Sequence, residues 1–182
     1  MSQRAHSFID DPNYKNWNIQ SAGDIERPEL QSLWQLWQDR RSGDLLPSRT
    51  DFLIEEFLPW GRNISMIEYR GTPPEYRVTL ASVAMIDLNG VDPTGKTPRQ
   101  YVPEQAYDFA VINLQRSAAG KCAVHDRYRR QNDGKWLNCD RLTLPCASDG
   151  KAVDYFLIAH YFDRGFLGRL SDLTIFDQVS EV

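Results

Sequence analysis

Residues 122–162 read CAVHDRYRRQNDGKWLNCDRLTLPCASDGKAVDYFLIAHYF, and their reading decides the fold. Three β-rich runs, Cys122–Arg130, Lys135–Pro145 and Val153–Phe162, are separated by QNDGK and ASDGK. Asp-Gly between alternating apolar runs is a strong hairpin signal, because it supplies the positive φ that tight turns need. The three runs therefore predict three consecutive antiparallel strands.

Working back along the chain, Pro103–Ala118 predicts a helix ended by Gly120, with Tyr107, Val111 and Leu114 on one face and Ala110 beside them. SVAMIDLNG (82–90) predicts one or two helical turns closed at Asn89-Gly90. Two further strands precede it, Asn63–Arg70 and Glu75–Ala81, joined by the loop GTPPE. TDFLIEEFLPW (50–60) predicts a short helix capped by Thr50 or Asp51 and stopped near Pro59. Arg27–Arg41 predicts a longer one: Pro28 suits its first turn, and Gly43 suits its end. Leu30, Leu33, Trp34 and Trp37 fall at i, i+3, i+4 and i+7, a single apolar stripe.

The order is helix, short helix, two strands, helices, three strands. Hairpin connections imply an α+β domain with a five-stranded antiparallel sheet, strand order 2-1-5-4-3, helices on one face and an N-terminal helix. Residues 27–162 form this domain. Residues 1–26 are expected as a polar arm docked in part through Trp17 and Ile19, and residues 163–182 as a tail.

The chain has 182 residues, 41% hydrophobic and 25% charged, with a formal net charge of −4. It is long enough for one core of ordinary size. The acidic balance argues against general nucleic-acid affinity, which needs a dense basic face. Arg127, Tyr128, Arg129 and Arg130 read as a solvated strand edge. No apolar run approaches the ~20 residues of a membrane span, and the first residues hold no secretory h-region. Cys122, Cys139 and Cys146 lack zinc-ligand spacing, so neither a metal nor another cofactor is expected, and a reduced, cytoplasmic compartment is.

The order of elements is that of a PAS domain, and three stretches sharpen the likeness. LWQLWQDRRSGDLLPSRTDF (33–52), EYRVTLASVAMIDLNGVDPTGK (75–96) and LTLPCASDGKAVDYFLIAHYF (142–162) resemble a divergent family of stand-alone bacterial PAS-type proteins. The likeness covers Leu30 to Phe162 and departs at Ala81, where the family often has glycine. It implies a sensory or interaction module, typically dimeric, with a cavity between sheet and helices.

Gly90-Val91-Asp92-Pro93-Thr94-Gly95-Lys96-Thr97 has the spacing and ending of a phosphate-binding P-loop. Pro93 removes an amide from any cradle, a helical stretch stands where a strand is needed, and Pro98 follows. The stretch therefore reads as a structural turn. No nucleophile with its base can be named from motifs, so the expected function is a non-enzymatic signalling module. Its ligand wall is expected at Met85, Leu88, Tyr107, Val111 and Leu114, with Arg77 as the charge that meets an anionic head group. Leu33, Trp34 and Trp37 are expected either in the domain's own core or at a homodimer seam, and the dimer is the working expectation. A signalling protein is the expected partner. Two alternatives stand beside this: a small cone-shaped α+β enzyme acting on a hydrophobic metabolite, using Asp126 or Asp140 with Tyr155, or a purely structural interaction protein.

Overall fold

The structure is a computed structural model that describes residues 12–71, 73–132 and 135–162. The expected tail and the Asp133-Gly134 turn lie outside the described residues. The strands are β1 (Lys15–Asn18), β2 (Ile64–Arg70), β3 (Glu75–Leu80), β4 (Val124–Asn132), β5 (Lys135–Cys146) and β6 (Tyr155–Phe162). The α-helices are α1 (Pro28–Asp39), α2 (Val83–Asn89) and α3 (Tyr107–Gly120), with short 3-10 turns between them.

The fold is α+β around one antiparallel sheet. It has six strands, not five, and its order, β1-β4-β5-β6-β2-β3, differs from the expected one. The difference is β1, which takes the edge beside β4 with Trp17 opposite His125. Residues 12–26 are thus not a polar arm throughout: Ile19 and Ile25 are buried in the core.

The helices between the two strand groups share one face, and the N-terminal helix α1 covers the other. Successive side chains of a strand point to opposite faces, and β6 shows both faces covered. Leu157 and Ala159 join one apolar cluster, and Phe156 and Ile158 join another. The first cluster lies under α1. Pro28 opens that helix, and its stripe of Leu30, Leu33, Trp34 and Trp37 faces Leu142, Leu144, Ile64 and Met66 of the sheet. Trp37 also donates its indole N–H to the Pro145 carbonyl at 2.8 Å. The working expectation of a dimer seam is corrected here. Leu33, Trp34 and Trp37 retain at most 7% of their surface, and the sheet already covers them.

The opposite face carries α2 and α3. Ser82 caps α2 by accepting from the Met85 amide, and Gly90 closes it at φ +65°. α3 starts at Tyr107, after a 3-10 turn at Glu104–Ala106, and Lys121 rather than Gly120 takes the left-handed closing position at φ +49°. The stretch TDFLIEEFLPW forms two 3-10 turns, the first capped by Ser48 rather than by Thr50 or Asp51.

The loop of residues 90–97 is a structural turn. Asp92 accepts from the Thr94 amide, the Gly95 amide donates to Val78 O at 2.7 Å, and Val78 N donates to Lys96 O at 3.0 Å. The loop thereby pairs with the outer edge of β3, and its Thr94, Gly95 and Lys96 amides are used within the protein. No phosphate cradle is left.

Candidate functional site

A cavity of about 130 Å³ lies between α2, α3, the turns of residues 98–106 and the inner face of the sheet. Its walls are mostly apolar: Ile67 and Val78 from β2 and β3, Leu114 from α3, and Ile158 from β6. Tyr101, Phe109 and Tyr128 add aromatic surface, and the Phe109 and Tyr128 rings meet edge to face at 4.9 Å. Burial pushes the Tyr101 hydroxyl up to about 12, so it stands as the neutral phenol.

One end of the cavity is polar. Arg141 on β5 faces Asp126 across the β4–β5 ladder, and its Nε and Nη2 donate to the two carboxylate oxygens at 2.9 and 2.7 Å. The two side chains keep 7% and 0% of their surface. Burial opposes the guanidinium charge, and the Asp126 carboxylate beside it outweighs that effect, so Arg141 stays charged. Its plane also lies over the Phe109 ring at 4.8 Å, and Nη2 reaches the Phe109 carbonyl at 3.3 Å. This is a bidentate buried pair whose charges cancel locally.

Around the pair stand three polar side chains that the protein leaves incomplete. Asn113 Nδ2, Thr143 Oγ1 and His160 Nδ1 are buried and have no hydrogen-bond partner among the described residues. All three residues line the cavity. A buried polar group without a partner costs free energy, and native interiors leave few of them. Three of the unpartnered buried atoms thus border one cavity. His160 sits opposite Arg141 in the β5–β6 ladder. Its burial, and then the charge of Arg141, pull its pKa down to about 3, so it is the neutral imidazole.

The orientation of Asn113 follows from its neighbours. Arg116, which has only donors, gives hydrogen bonds to the Asn16 side-chain and backbone oxygens. The Asn16 amide nitrogen is therefore turned the other way, to Tyr14 Oη and Asn113 Oδ1. With its oxygen so occupied, Asn113 presents its NH₂ to the cavity.

Of the ligand wall expected from sequence, Met85 and Leu114 line the cavity. Leu88 is buried instead in a neighbouring cluster with Tyr128, Leu137 and Cys139. Val111 packs in the core beside the site, and Tyr107 lies on that core's margin with Arg99 over its ring at 4.0 Å. Arg77 is corrected outright. It is on the outer face of an edge strand, with Nη2 3.2 Å from Glu75 and Nη1 3.1 Å from Gly95 O. Tyr76 and Val78, its neighbours, take the inward positions.

Arg141, Thr143, His160 and Asn113 are not among the sequence-expected site residues, and Asp126 enters there only as a carboxylate of the enzyme alternative. The signal was present in β5, where Leu142 and Leu144 alternate with Arg141 and Thr143. An inward arginine on a central strand requires an inward partner. The hairpin register puts Asp126 directly opposite.

The residues named for the enzyme alternative are not brought together. Asp126 is held by Arg141, and Asp140 lies on the other face of the sheet with Arg27 and Arg127 at 3.1 and 2.7 Å. Burial raises the Asp140 pKa, but contacts from His125 and Arg127 and the charge of Arg27 outweigh it and hold the carboxyl below its usual range. Tyr155 joins neither carboxylate, its hydroxyl meeting Thr79. None of the three cysteines forms a disulfide, and burial pushes the Cys122 and Cys146 thiols up, away from reactive thiolates. Among the described residues no group of histidine, cysteine and carboxylate side chains is placed to hold a metal, and no helix is long and apolar enough to cross a membrane.

No family model matches the chain, and no curated protein matches it. Among solved structures it is similar to an RNA-binding light-oxygen-voltage receptor, at 14% identity and a TM-score of 0.45. The match covers 81% of this chain and spans 38% of the receptor's length.

Proposed function

We propose that the chain is a PAS-type sensory module, without catalytic activity of its own, that binds a small molecule between its sheet and α3. The observation that carries this reading is the convergence of three unpartnered buried polar atoms, from Asn113, Thr143 and His160, on one cavity. The motif resemblance at residues 33–52, 75–96 and 142–162 and the antiparallel sheet support the PAS-type assignment. The ion pairing of Asp126 and Asp140 favours binding over acid–base chemistry. Ligand occupancy shifts the balance between two states of the domain, and a partner protein reads the difference.

Native mass spectrometry of freshly purified protein, together with a thermal-shift screen of small metabolites, tests the reading. A ligand that binds only the folded state stabilises it by about 2.7 kcal/mol at a hundred times its Kd. Ala110→Leu places three extra carbons in the cavity wall and should abolish the shift while the circular dichroism stays native. Hits that survive Ala110→Leu unchanged bind elsewhere and overturn the site. A library without hits, with the cavity closed or holding only water in a crystal structure, leaves an interaction module that senses no ligand.

A further inference from the structure

The cavity also carries information about the charge and size of its occupant. We infer that it takes a neutral, single-ring molecule bearing an amide or hydroxyl group, whose acceptor meets the Asn113 amide and whose polar edge meets Thr143 and His160. The inference rests on the ligand-binding reading above and narrows it.

Size comes first. At about 130 Å³ the cavity is well below the ~300–1,000 Å³ of sites for drug-sized ligands, and close to the ~150 Å³ that holds one benzene ring. Tyr101, Phe109 and Tyr128 offer ring faces and edges to an aromatic body.

Charge follows from the pairing. Arg141 is the cation at the polar end, and both carboxylate oxygens of Asp126 already hold it. An anionic ligand would bring a second buried negative charge to a guanidinium whose charge Asp126 already balances, which is unfavourable. A cationic ligand meets no carboxylate among the described lining residues, and the nearby Asp126 is taken by Arg141. A purely apolar ligand would fill the space but leave the three orphaned atoms as they are. A neutral group with an acceptor and a donor is the chemistry that remains. An amide suits both tautomers of a neutral imidazole, since it can give or take at Nδ1.

The test uses four probes of one shape: benzamide, benzoate, benzylamine and toluene. Binding to the full chain is measured by titration calorimetry and by shifts of the Asn113 side-chain and Thr143 methyl NMR signals. Benzamide should bind at least tenfold more tightly than each of the other three. Thr143→Val, which keeps shape and removes the hydroxyl, should weaken benzamide several-fold and leave toluene unchanged. Benzoate or benzylamine binding as well as benzamide overturns the neutral-ligand inference while the cavity remains a ligand site. Toluene binding as well as benzamide removes the role of the polar end. If none of the four binds and a crystal structure shows ordered water on Asn113, Thr143 and His160, the inference and the ligand-binding reading both fall.

Discussion

His160 shows how much one position on a sheet decides. Its neighbours in sequence, Ala159 and Tyr161, point to the α1 face, while it points to the cavity beside Arg141. A charged imidazole there would sit unsolvated next to a guanidinium, so the folded state holds it neutral, with a pKa of about 3 against an ordinary 6.5. Below pH 6.5 the unfolded chain takes up a proton that the folded chain refuses. The stabilisation is therefore complete above pH 6.5 and is lost as pH falls toward 3, by about 1.4 kcal/mol per unit. Asp140 has a separate window: its lowered pKa contributes above the ordinary carboxylate range and is lost only as pH falls below it. Between pH 7 and pH 5 the wild type should lose about 2 kcal/mol in urea unfolding through His160. His160→Asn should lose that much less over the same interval. Parallel losses would mean that His160 titrates normally in the folded state. The sequence places this residue on the strand Val153–Phe162, without showing which face it takes. Only the register with Arg141 places it, and register depends on the turns.

At the scale of elements, amphipathic periodicity was the most legible signal. The α1 stripe was read correctly as a single apolar face. What lies against that face was not readable, because a core and an interface ask for the same side chains. The sheet has two apolar faces, so a second covering layer was needed, and α1 supplies it. Trp37→Ala should cost 3–5 kcal/mol, the usual range for a large aromatic removed from a core. Urea unfolding should show this as a lower midpoint, or as outright loss of the fold, with no change of oligomeric state at low denaturant. A variant that stays fully stable but passes from dimer to monomer in light scattering would restore the seam. The loop of residues 90–97 was legible for a different reason. Pro93 and the helical stretch before it already broke the phosphate-loop pattern, and the structure adds that the loop pairs with β3. Of the six expected wall residues, two, Met85 and Leu114, reach the cavity. Helical spacing selects the inner face of α3, yet Val111 and Leu114 share that face and only Leu114 reaches the cavity.

Over the whole molecule, the two faces of the sheet divide the work. The α1 face packs Trp17, Trp34, Trp37 and Trp60 with many aliphatic side chains, and this burial supplies stability. The α2–α3 face gives up apolar packing to hold a buried ion pair, incomplete polar atoms and a cavity. At one edge Val78 of β3 pairs with the loop of residues 90–97, and at the other the short β1 covers Val124–Arg127 of β4. β1 escaped the sequence reading because KNWN has only four residues and no alternation strong enough to mark it. Beside its ladder with β4, side chains of α3 also hold it. Arg116 Nε donates to Asn18 Oδ1 at 2.7 Å and Nη1 donates to Asn16, which in turn reaches Asn113 at the cavity. The polar end of the site and the outer edge of the sheet are thus joined through three side chains. Arg116→Ala should speed amide hydrogen exchange in Lys15–Asn18 and at Ile19, whose amide bonds Ala123 O, by roughly tenfold for each 1.4 kcal/mol of local stability lost. Exchange in β5 and β6, which are tied to their neighbours by long ladders, should stay as it was. The same variant should weaken benzamide, because Asn16 no longer holds the Asn113 amide toward the cavity. A uniform rise in exchange across the sheet would show instead that β1 and the core open as one unit.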